Sequence, residues 1–324
     1  MSLRWPSTAP SAGSLRAAPV LPEPLLSALS WLVAKLPPIA HRALGACLGF
    51  VAGSLFRIRR NHVERAMAAG GIADPARAAR GMYRSLGISL LEFLWLAGGD
   101  AARLDGRVRI DEASRRALDE ARSKGRGIVL SATHTGNWDL AACAMARRMP
   151  LLVITKRLSM RALDHFWQST RGRYGVRLRE ARGALEEGRR MLREQGAVAM
   201  MIDQVPLHRR HAVPVEFFGR PALADKAPAA LAAASGAPLV VSGAFRDEDG
   251  MHHLVVLDVL FPDKAGPAWI AQATRASTEA LERFVRAHPS EWLWLHRRWK
   301  EIAPAERPSG RDREDLRLVV ERRA

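Results

Sequence analysis

The stretch GIVLSATHTGNWDLAACAMARRMPLLVIT, residues 127–155, decides the fold class. Its apolar runs GIVLSAT at 127 and PLLVIT at 150 are typical of buried strands, and residues 139–148 between them have the apolar spacing of a helix. Further strand candidates are AVAMMID at 197, VPVEFF at 213, PLVVSGAF at 238 and HHLVVLDVL at 252, and further helix candidates are 159–174, 183–195 and 225–235. Strand and helix in alternation predict an α/β fold with a largely parallel central sheet covered by helices.

The charge of the chain is its unusual bulk property. In 324 residues, 50 Lys and Arg stand against 33 Asp and Glu, which leaves a formal charge of +17. Such an excess indicates an anionic partner: nucleic acid, an anionic membrane face or an acidic carrier protein. The basic residues are spread over many elements, and neither an RNA-binding aromatic motif nor a recognition-helix pattern occurs, so we expect no nucleic-acid partner.

The two cysteines, Cys47 and Cys143, each lie in an apolar helical pattern. No CxxC or Cys/His spacing accompanies them. The sequence therefore predicts two buried thiols, with no disulfide framework and no metal site.

The N-terminal part of the chain suggests a membrane contact. Residues 1–24, rich in Pro, Ser and Ala, predict a disordered lead-in rather than a secretory signal. Residues 25–56 are apolar but interrupted by Lys35 and by Pro37-Pro38, so they fall short of a spanning helix. We expect two short helices in the membrane interface, with a buried helical hairpin in a soluble protein as the alternative.

A basic segment, RIRRNHVERA at 57–66, follows this apolar run. Basic residues beside an apolar segment are typical of contact with anionic lipid on the cytoplasmic side, although a solvated helix face has the same pattern. The arginines concerned are Arg57, Arg59, Arg60 and Arg65.

These boundaries divide the chain into four parts. Residues 1–24 are the lead-in, 25–70 the membrane-associating helices with the basic segment, 71–300 the α/β domain and 301–324 a charged tail. Asp74 and Pro75 predict the start of the first helix of the domain, with Asp74 as its N-cap.

The block HTGNWD places His134 just beyond the strand at 127. Gly136, Asn137 and Asp139 supply the turn and cap of the next helix, whose free N–H groups can receive developing negative charge. Asp139 can fold back and accept a bond from the far ring nitrogen of His134, which would fix the tautomer and stabilise the imidazolium. The same spacing also suits a plain cap and turn. Since GxSxG is absent from the sequence, the attacking oxygen is expected to be the substrate's own.

Four blocks in order resemble the glycerolipid and lipid A acyltransferases, above all the branch that adds late, secondary acyl chains to lipid A. HTGNWD resembles the His-x4-Asp/Glu block, and MMIDQVP at 200–206 resembles the Asp-Gln block. VPVEFFGRPALADKAPAALAAASGAPLV resembles the FFG block with its helix, and EWLWLHRRWK the closing Trp, His, Arg signature. RIRRNHVERA resembles the basic segment after the anchor, so the resemblance covers residues 25–300 and identifies the chain as a member of this family.

The resemblance implies that His134 is the general base and Asp139 its orienting partner. An acceptor hydroxyl then attacks the thioester of an acyl donor, normally acyl carrier protein, with no acyl-enzyme, cofactor or metal. N–H groups near Gly136 and a cation, Arg157 or Arg171, would meet the oxyanion. A solvated helical role is the alternative for either arginine.

Other residues are expected to bind substrate by the same resemblance. Asp203 and Gln204 follow a strand, where a buried carboxylate needs a partner such as substrate or an arginine, with a structural turn as the alternative. Phe217 and Phe218 are wall or core residues. EWLWLHRRWK is expected to be a strand with Trp292, Trp294 and His296 on one face, and its cations suit a phosphorylated sugar lipid or the acidic carrier. The remaining substrate-binding candidates are Asn137, Arg220, Arg297 and Arg298.

Three departures from the family pattern leave the acceptor open. Asp139 stands where the family often has Glu, DQVP lacks a further acid, and LADKAPAA after FFGRPA lacks the expected Thr and Gly. A lipid A precursor or related glycolipid is expected, with an aminolipid or a specialised metabolite as the alternative. The resemblance places the chain on the cytoplasmic side of a bacterial inner membrane, and a non-catalytic membrane scaffold is the further alternative.

Overall fold

The computed structural model describes residues 23–300 except 100, 105, 182, 207, 263 and 264. The predicted charged tail, and the predicted lead-in up to residue 22, lie outside the described residues. The first helix begins at Glu23. The predicted boundary between residues 70 and 71 stays a prediction.

Helices and strands alternate through most of the described chain. The helices are α1 (Glu23–Ala34), α2 (Pro38–Phe50), α3 (Arg60–Ala69), α4 (Pro75–Ala97), α5 (Glu112–Ser123), α6 (Trp138–Ala146), α7 (Arg161–Arg173), α8 (Ala184–Arg193), α9 (Ala227–Ser235) and α10 (Pro267–Ala287). The strands are β1 (Val108–Ile110), β2 (Ile128–Ala132), β3 (Leu151–Ile154), β4 (Val176–Arg179), β5 (Ala197–Met201), β6 (Ala212–Phe217), β7 (Arg220–Asp225), β8 (Leu239–Arg246) and β9 (His252–Leu260). A π-helical turn, Val51–Leu55, continues α2.

The central sheet has seven strands in the order β1-β9-β8-β2-β5-β3-β4. Pairing is parallel throughout except between β8 and β9. The strands β2 and β5 lie in the middle of the sheet, and helices cover both of its faces. Strands buried on both sides need apolar residues at nearly every position, which is why these two are continuous apolar runs. The prediction of a largely parallel α/β sheet covered by helices is confirmed.

Two predicted strands differ from the structure. The segment VPVEFF is a strand, but β6 pairs antiparallel with β7 in a separate two-stranded sheet. Phe218 and Gly219 both have positive φ, 55° and 67°, so they form the tight hairpin turn that joins the two strands. The prediction of a strand over EWLWLHRRWK is wrong: a single bridge joins Trp292 to Thr135, and turns follow.

The break between α1 and α2 falls at Pro37-Pro38, as the sequence predicts. Helix α2 crosses α4 with the two backbones in contact. A Cβ added at Gly49 would lie 2.2 Å from the Tyr83 carbonyl oxygen, and one at Gly87 would lie 2.2 Å from the Gly45 carbonyl oxygen. Glycine is therefore required at this crossing, and α2 is fixed tightly to α4.

Among the described residues, no single helix combines the length and apolar character needed to cross a membrane. The consecutive segments Pro38–Leu55 and Arg60–Ala69 meet that test only as a pair, and the pair is bent by 88°.

The surface of α1, α2 and residues 51–58 is unusually apolar, and we call it the apolar face. Its exposed members are Leu25, Leu29, Trp31, Leu32, Ile39, Leu44, Leu48, Phe50, Leu55, Phe56 and Ile58. Cys47 is also exposed in this region, so the prediction of two buried thiols is wrong for Cys47 and confirmed for Cys143. Because these helices pack only one face against the protein, the side chains on their opposite face stay exposed.

The basic segment that follows is divided between surface and interior. Arg57, Arg59 and Arg65 are exposed. Arg60 is buried, forms a 2.7 Å ion pair with Glu64 and donates to the Gly53 carbonyl. The expectation that Arg60 contacts lipid is therefore wrong, because its charge is satisfied within the protein.

Candidate active site

His134 and Asp203 lie side by side at the carboxyl ends of β2 and β5. The parallel register pairs Ala132 with Met201, and each polar residue comes two positions after its strand residue. His134 Nδ1 lies 2.8 Å from Asp203 Oδ1, and the His134 backbone N–H donates to Asp203 Oδ2 at 2.8 Å. Reactive groups are expected at such strand ends in parallel sheets.

Asp203 is an ionised, buried carboxylate. Its side chain is 0% exposed, and Trp292 Nε1 adds a third hydrogen bond at 3.0 Å. Burial alone would raise the pKa of Asp203, but the His134 ring and the hydrogen bonds from His134 outweigh burial and hold that pKa well below its usual range. The expectation that Asp203 contacts substrate is therefore wrong, because the imidazole and indole enclose it.

Asp139 is not the acid that holds the His134 ring. It lies in the first turn of α6, where Arg171 Nε donates to its Oδ1 at 2.7 Å and Trp167 Nε1 to its Oδ2 at 3.1 Å. The predicted pairing with His134 fails because Asp139 points toward α7, whereas the imidazole points toward β5. Arg171 is consequently held in an ion pair rather than free to meet an oxyanion.

Gly136 and Asn137 shape the turn and do not line the groove that runs past His134. The φ of Gly136 is +56°, and an added Cβ would lie 2.6 Å from the Ala244 carbonyl oxygen. The Gly136 N–H donates to the Glu291 carbonyl at 2.8 Å, so it cannot serve an oxyanion. Asn137 is buried and caps α6 through a 3.2 Å bond from the Leu140 N–H, which confirms the cap but not the substrate contact.

A buried charge network holds this turn from behind, and sequence reasoning missed it. Glu92 on α4 accepts from Asn137 Nδ2 at 3.0 Å and from Arg246 Nη2 at 2.8 Å, and His252 Nε2 lies 3.1 Å from its other oxygen. Burial would raise the pKa of Glu92, but His252 and Arg246 lower it to about 2. The signal that could have found the network is the polar set Ser85, Ser89 and Glu92, which recurs at helical spacing in the otherwise apolar second half of α4.

The closing segment brings His296 to the mouth of the site. The ring centroids of His296 and His134 are 4.8 Å apart, and Gln204 Nε2 lies 3.3 Å from His296 Nε2. Burial and the neighbouring His134 lower the pKa of His296 to about 4, so it is neutral near pH 7. The structure thus brings together His134, Gln204 and His296, three of the predicted site residues.

The predicted cations are scattered. Arg157 is exposed on the rim of the site and pairs with Glu180. Arg220 stacks on Trp299, its guanidinium 4.5 Å from the ring centroid, and it does not line the groove described below. Arg297 is exposed and also lies outside that lining.

Arg298 is buried and cannot meet a lipid phosphate or a carrier protein. It is 1% exposed, donates to the Leu223 carbonyl and lies over the Phe217 ring. Burial lowers its pKa to about 10. Phe217 and Phe218 are core residues, at 0% and 3% exposure, so of the two roles considered for them the core role is confirmed.

An open groove with a cavity volume of about 700 Å³ runs past His134. We call it the catalytic groove, and its lining includes His134, Lys156, Arg157, Arg171, Asp225 and His296. Beneath it lies a small apolar space of about 70 Å³, the inner cavity, lined by Leu130, Ala142, Met145, Leu151 and Leu254 among others. Trp138, Val153, Met200 and Met201 line both, so the two spaces adjoin. In the part of the chain that the structure describes, no group of three or more His, Cys, Asp or Glu residues could hold a metal ion.

The model of the bacterial lipid A biosynthesis acyltransferase family matches residues 23–301. The chain belongs to this family. It is also similar to two proteins named phosphatidylinositol mannoside acyltransferase. One, from Mycobacterium tuberculosis strain H37Rv, is 28% identical over 189 residues, which are 56% of this chain and 57% of the relative. The other, from Mycolicibacterium smegmatis, is 24% identical over 283 residues, 84% of this chain and 90% of the relative. The match to the Mycobacterium tuberculosis protein thus spans little more than half of its length.

Proposed function

We propose that the protein is an O-acyltransferase that moves a fatty acyl chain from a thioester donor to a hydroxyl of a phosphorylated glycolipid. The observation that carries this proposal is the His134–Asp203 pair at the wall of the catalytic groove. Asp203 engages Nδ1 of the imidazole, which leaves Nε2 as the nitrogen that takes a proton. Membership of an acyltransferase family supports the reaction class.

The reaction needs one proton acceptor and one proton donor, and His134 supplies both. Nε2 takes the proton of the acceptor hydroxyl while the oxygen attacks the thioester carbonyl carbon. The C–S bond of the resulting tetrahedral adduct then breaks, and the leaving sulfur takes the proton from Nε2. The ester and the free thiol are the products, so atoms and charges balance. The buried Asp203 carboxylate stabilises the transient imidazolium.

The inner cavity suits the start of the acyl chain. It adjoins the catalytic groove through Trp138 and Met201, and its walls are almost wholly apolar. Met145, Met200 and Met201 are adaptable side chains that can move to admit a longer hydrocarbon.

Two findings support a phosphorylated glycolipid as the acceptor. The family model is that of lipid A biosynthesis, and the named relatives are phosphatidylinositol mannoside acyltransferases. A lipid A precursor and a mannosylated phosphatidylinositol share sugar hydroxyls and a phosphate. Lys156, exposed on the groove rim, is placed to meet such a phosphate, and Arg157 beside it would meet the phosphate by exchanging its exposed partner Glu180.

We further propose acyl carrier protein as the donor and the cytoplasmic face of the inner membrane as the working location. The +17 charge favours both an acidic carrier and an anionic bilayer. The apolar face, flanked by exposed Arg57, Arg59 and Arg65, has the composition of a surface that lies in a membrane interface.

The test is transfer of a labelled acyl group from acyl carrier protein, and separately from coenzyme A, to a lipid A precursor, a phosphatidylinositol mannoside and an aminolipid. The wild-type chain should acylate a glycolipid, and His134→Ala should abolish transfer while its circular dichroism and vesicle binding stay unchanged. Transfer retained by His134→Ala would refute the base assignment, and transfer only to the aminolipid would refute the acceptor class. A higher rate with acyl coenzyme A would refute the carrier donor.

A further inference from the structure

A second apolar cavity of about 370 Å³ lies between α2, α4 and the HTGNWD turn. We call it the lateral cavity. Leu48 on α2 and Leu86 and Leu90 on α4 form its outer wall, and Trp138, Asp139 and Trp167 form its inner wall. Its volume falls in the range of about 300–1,000 Å³ typical of small-molecule sites.

The lateral cavity adjoins the catalytic groove. Trp138, Asp139 and Trp167 line both spaces, and Trp167 donates to Asp139 across this shared wall. Arg171, which binds the same carboxylate, stands on the groove side. A molecule in the lateral cavity therefore lies next to the polar groups of the groove.

The outer wall of the lateral cavity reaches the apolar face. Leu48 is 40% exposed and Leu90 is 37% exposed, and Leu48 belongs to the apolar face itself. The cavity thus begins where the protein offers hydrocarbon surface and ends at Asp139, beyond which Arg171 and His134 line the catalytic groove. That polarity matches one molecule with a hydrocarbon chain at one end and a sugar head at the other.

We propose that the lateral cavity binds one hydrocarbon chain of the acceptor lipid, so that its head group lies in the catalytic groove with a hydroxyl within reach of His134. This inference rests on the proposed glycolipid acceptor. The donor chain is assigned to the inner cavity, which is lined by strands of the central sheet and by α6 and shares no lining residue with the apolar face. The lateral cavity is continuous with the apolar face, which is the side from which a membrane lipid arrives.

The first test locates the chain directly. Dipalmitoyl phosphatidylinositol mannoside with a photoreactive diazirine in one fatty chain is irradiated with the wild-type protein, and labelled peptides are mapped by mass spectrometry. Label is expected within residues 38–55 and 75–97. The proposal is overturned if the label is confined to the walls of the inner cavity, residues 138–154 and 197–201. It is also overturned if a diazirine-bearing acyl donor, rather than the acceptor lipid, labels residues 38–55 and 75–97.

The second test uses Leu90→Trp, which narrows the cavity at a partly exposed site. Its matched control is Leu185→Trp, on the exposed surface of α8 and away from all three spaces. With dipalmitoyl phosphatidylinositol mannoside in mixed micelles, Leu90→Trp should raise KM about tenfold, which corresponds to roughly two lost methylene contacts. With the deacylated, water-soluble form of the same lipid, kcat/KM should be unchanged, and Leu185→Trp should alter neither.

Equal losses with the lipid and its deacylated form would overturn the proposal, since a blocked hydrocarbon site cannot affect a substrate without hydrocarbon. A wild-type protein that acylates neither substrate refutes the proposed acceptor instead. The labelling experiment still decides the location of the chain in that case, because it requires binding and not turnover.

Discussion

Replacing Asp203 by Asn tests how the site controls the His134 ring. The two carboxylate oxygens have different partners: Oδ1 accepts from the ring Nδ1, whereas Oδ2 accepts from the His134 backbone N–H and from Trp292 Nε1. A carboxamide has one oxygen and one NH2, so it can satisfy only one side as an acceptor. If its oxygen takes the Oδ2 place, its NH2 donates to Nδ1, and the ring proton must move to Nε2. The imidazole is then the wrong tautomer for a base.

The opposite orientation of the amide keeps the tautomer but leaves two buried N–H groups facing NH2. Each buried donor without an acceptor costs about 1–3 kcal/mol, so this orientation is disfavoured by roughly 2–6 kcal/mol. At about 1.4 kcal/mol per tenfold, only about one molecule in 30 to one in 10⁴ retains the active tautomer. We therefore expect Asp203→Asn to lower kcat by about 30-fold to 10⁴-fold at nearly unchanged KM.

The assay is release of the donor thiol under saturating acceptor, with ¹⁵N NMR of the histidine rings to report the tautomer of His134. Circular dichroism and thermal unfolding check that the variant is folded. Asp139→Asn is the contrasting variant: its carboxylate serves Arg171, so kcat should fall by less than about tenfold and the His134 tautomer should not change. A kcat for Asp203→Asn within about fivefold of wild type would contradict the tautomer argument.

Three further predictions follow from burial and charge. The pKa of Glu92 is lowered from 4.5 to about 2, so its ionised form contributes about 3 kcal/mol to the free energy of unfolding, fully present above pH 4.5 and lost as pH falls toward 2. Denaturant unfolding at several pH values should show this loss of stability in acid, and Glu92→Gln should abolish most of the pH dependence. An unchanged pH dependence in Glu92→Gln would exclude Glu92 as its source. In the folded protein a maleimide should modify the exposed Cys47 and not Cys143, because burial raises the pKa of the Cys143 thiol to about 12. Anionic vesicles should slow the modification of Cys47. A rate of Cys47 modification that vesicles leave unchanged would count against the proposed membrane contact. Ala142→Leu fills part of the inner cavity and should shift donor preference to acyl chains shorter by about two to three carbons in a competition assay, with an unshifted preference excluding that cavity as the acyl site.

The sequence pattern predicts the local parts of the fold well. Apolar runs next to segments with the apolar spacing of helices locate β2, β3, β5, β8 and β9 to within a few residues. They do so because strands buried in a largely parallel sheet consist almost entirely of apolar residues. The strands β1 and β4 escape notice, since VRI and VRLR contain arginine and lack the continuous apolar run that reveals the equally short β3. The closing segment has the pattern of a strand because its aromatic residues alternate, yet Trp292 forms only an isolated bridge and Trp294 lies in a turn, and both are buried.

The candidate site is harder to read because its decisive contact is not local. Proximity in sequence suggests Asp139 as the partner of His134, five residues away, whereas the structure supplies Asp203, 69 residues away. That pairing depends on β5 being the neighbour of β2, and strand order is set by the packing of the whole sheet. The same holds for Arg298, whose side chain lies inside against the β6–β7 hairpin although the adjacent Arg297 is exposed.

The glycine crossing of α2 and α4 has a mechanical consequence. Where backbone lies directly on backbone at Gly49 and Gly87, there are no long side chains whose rearrangement could let the helices slide or swing. Helix α4 is also hydrogen-bonded to the HTGNWD turn, through Glu92 and Asn137. The apolar face and His134 therefore belong to one rigid unit, and a bilayer that received the apolar face would hold the imidazole at a constant height above the lipid head groups.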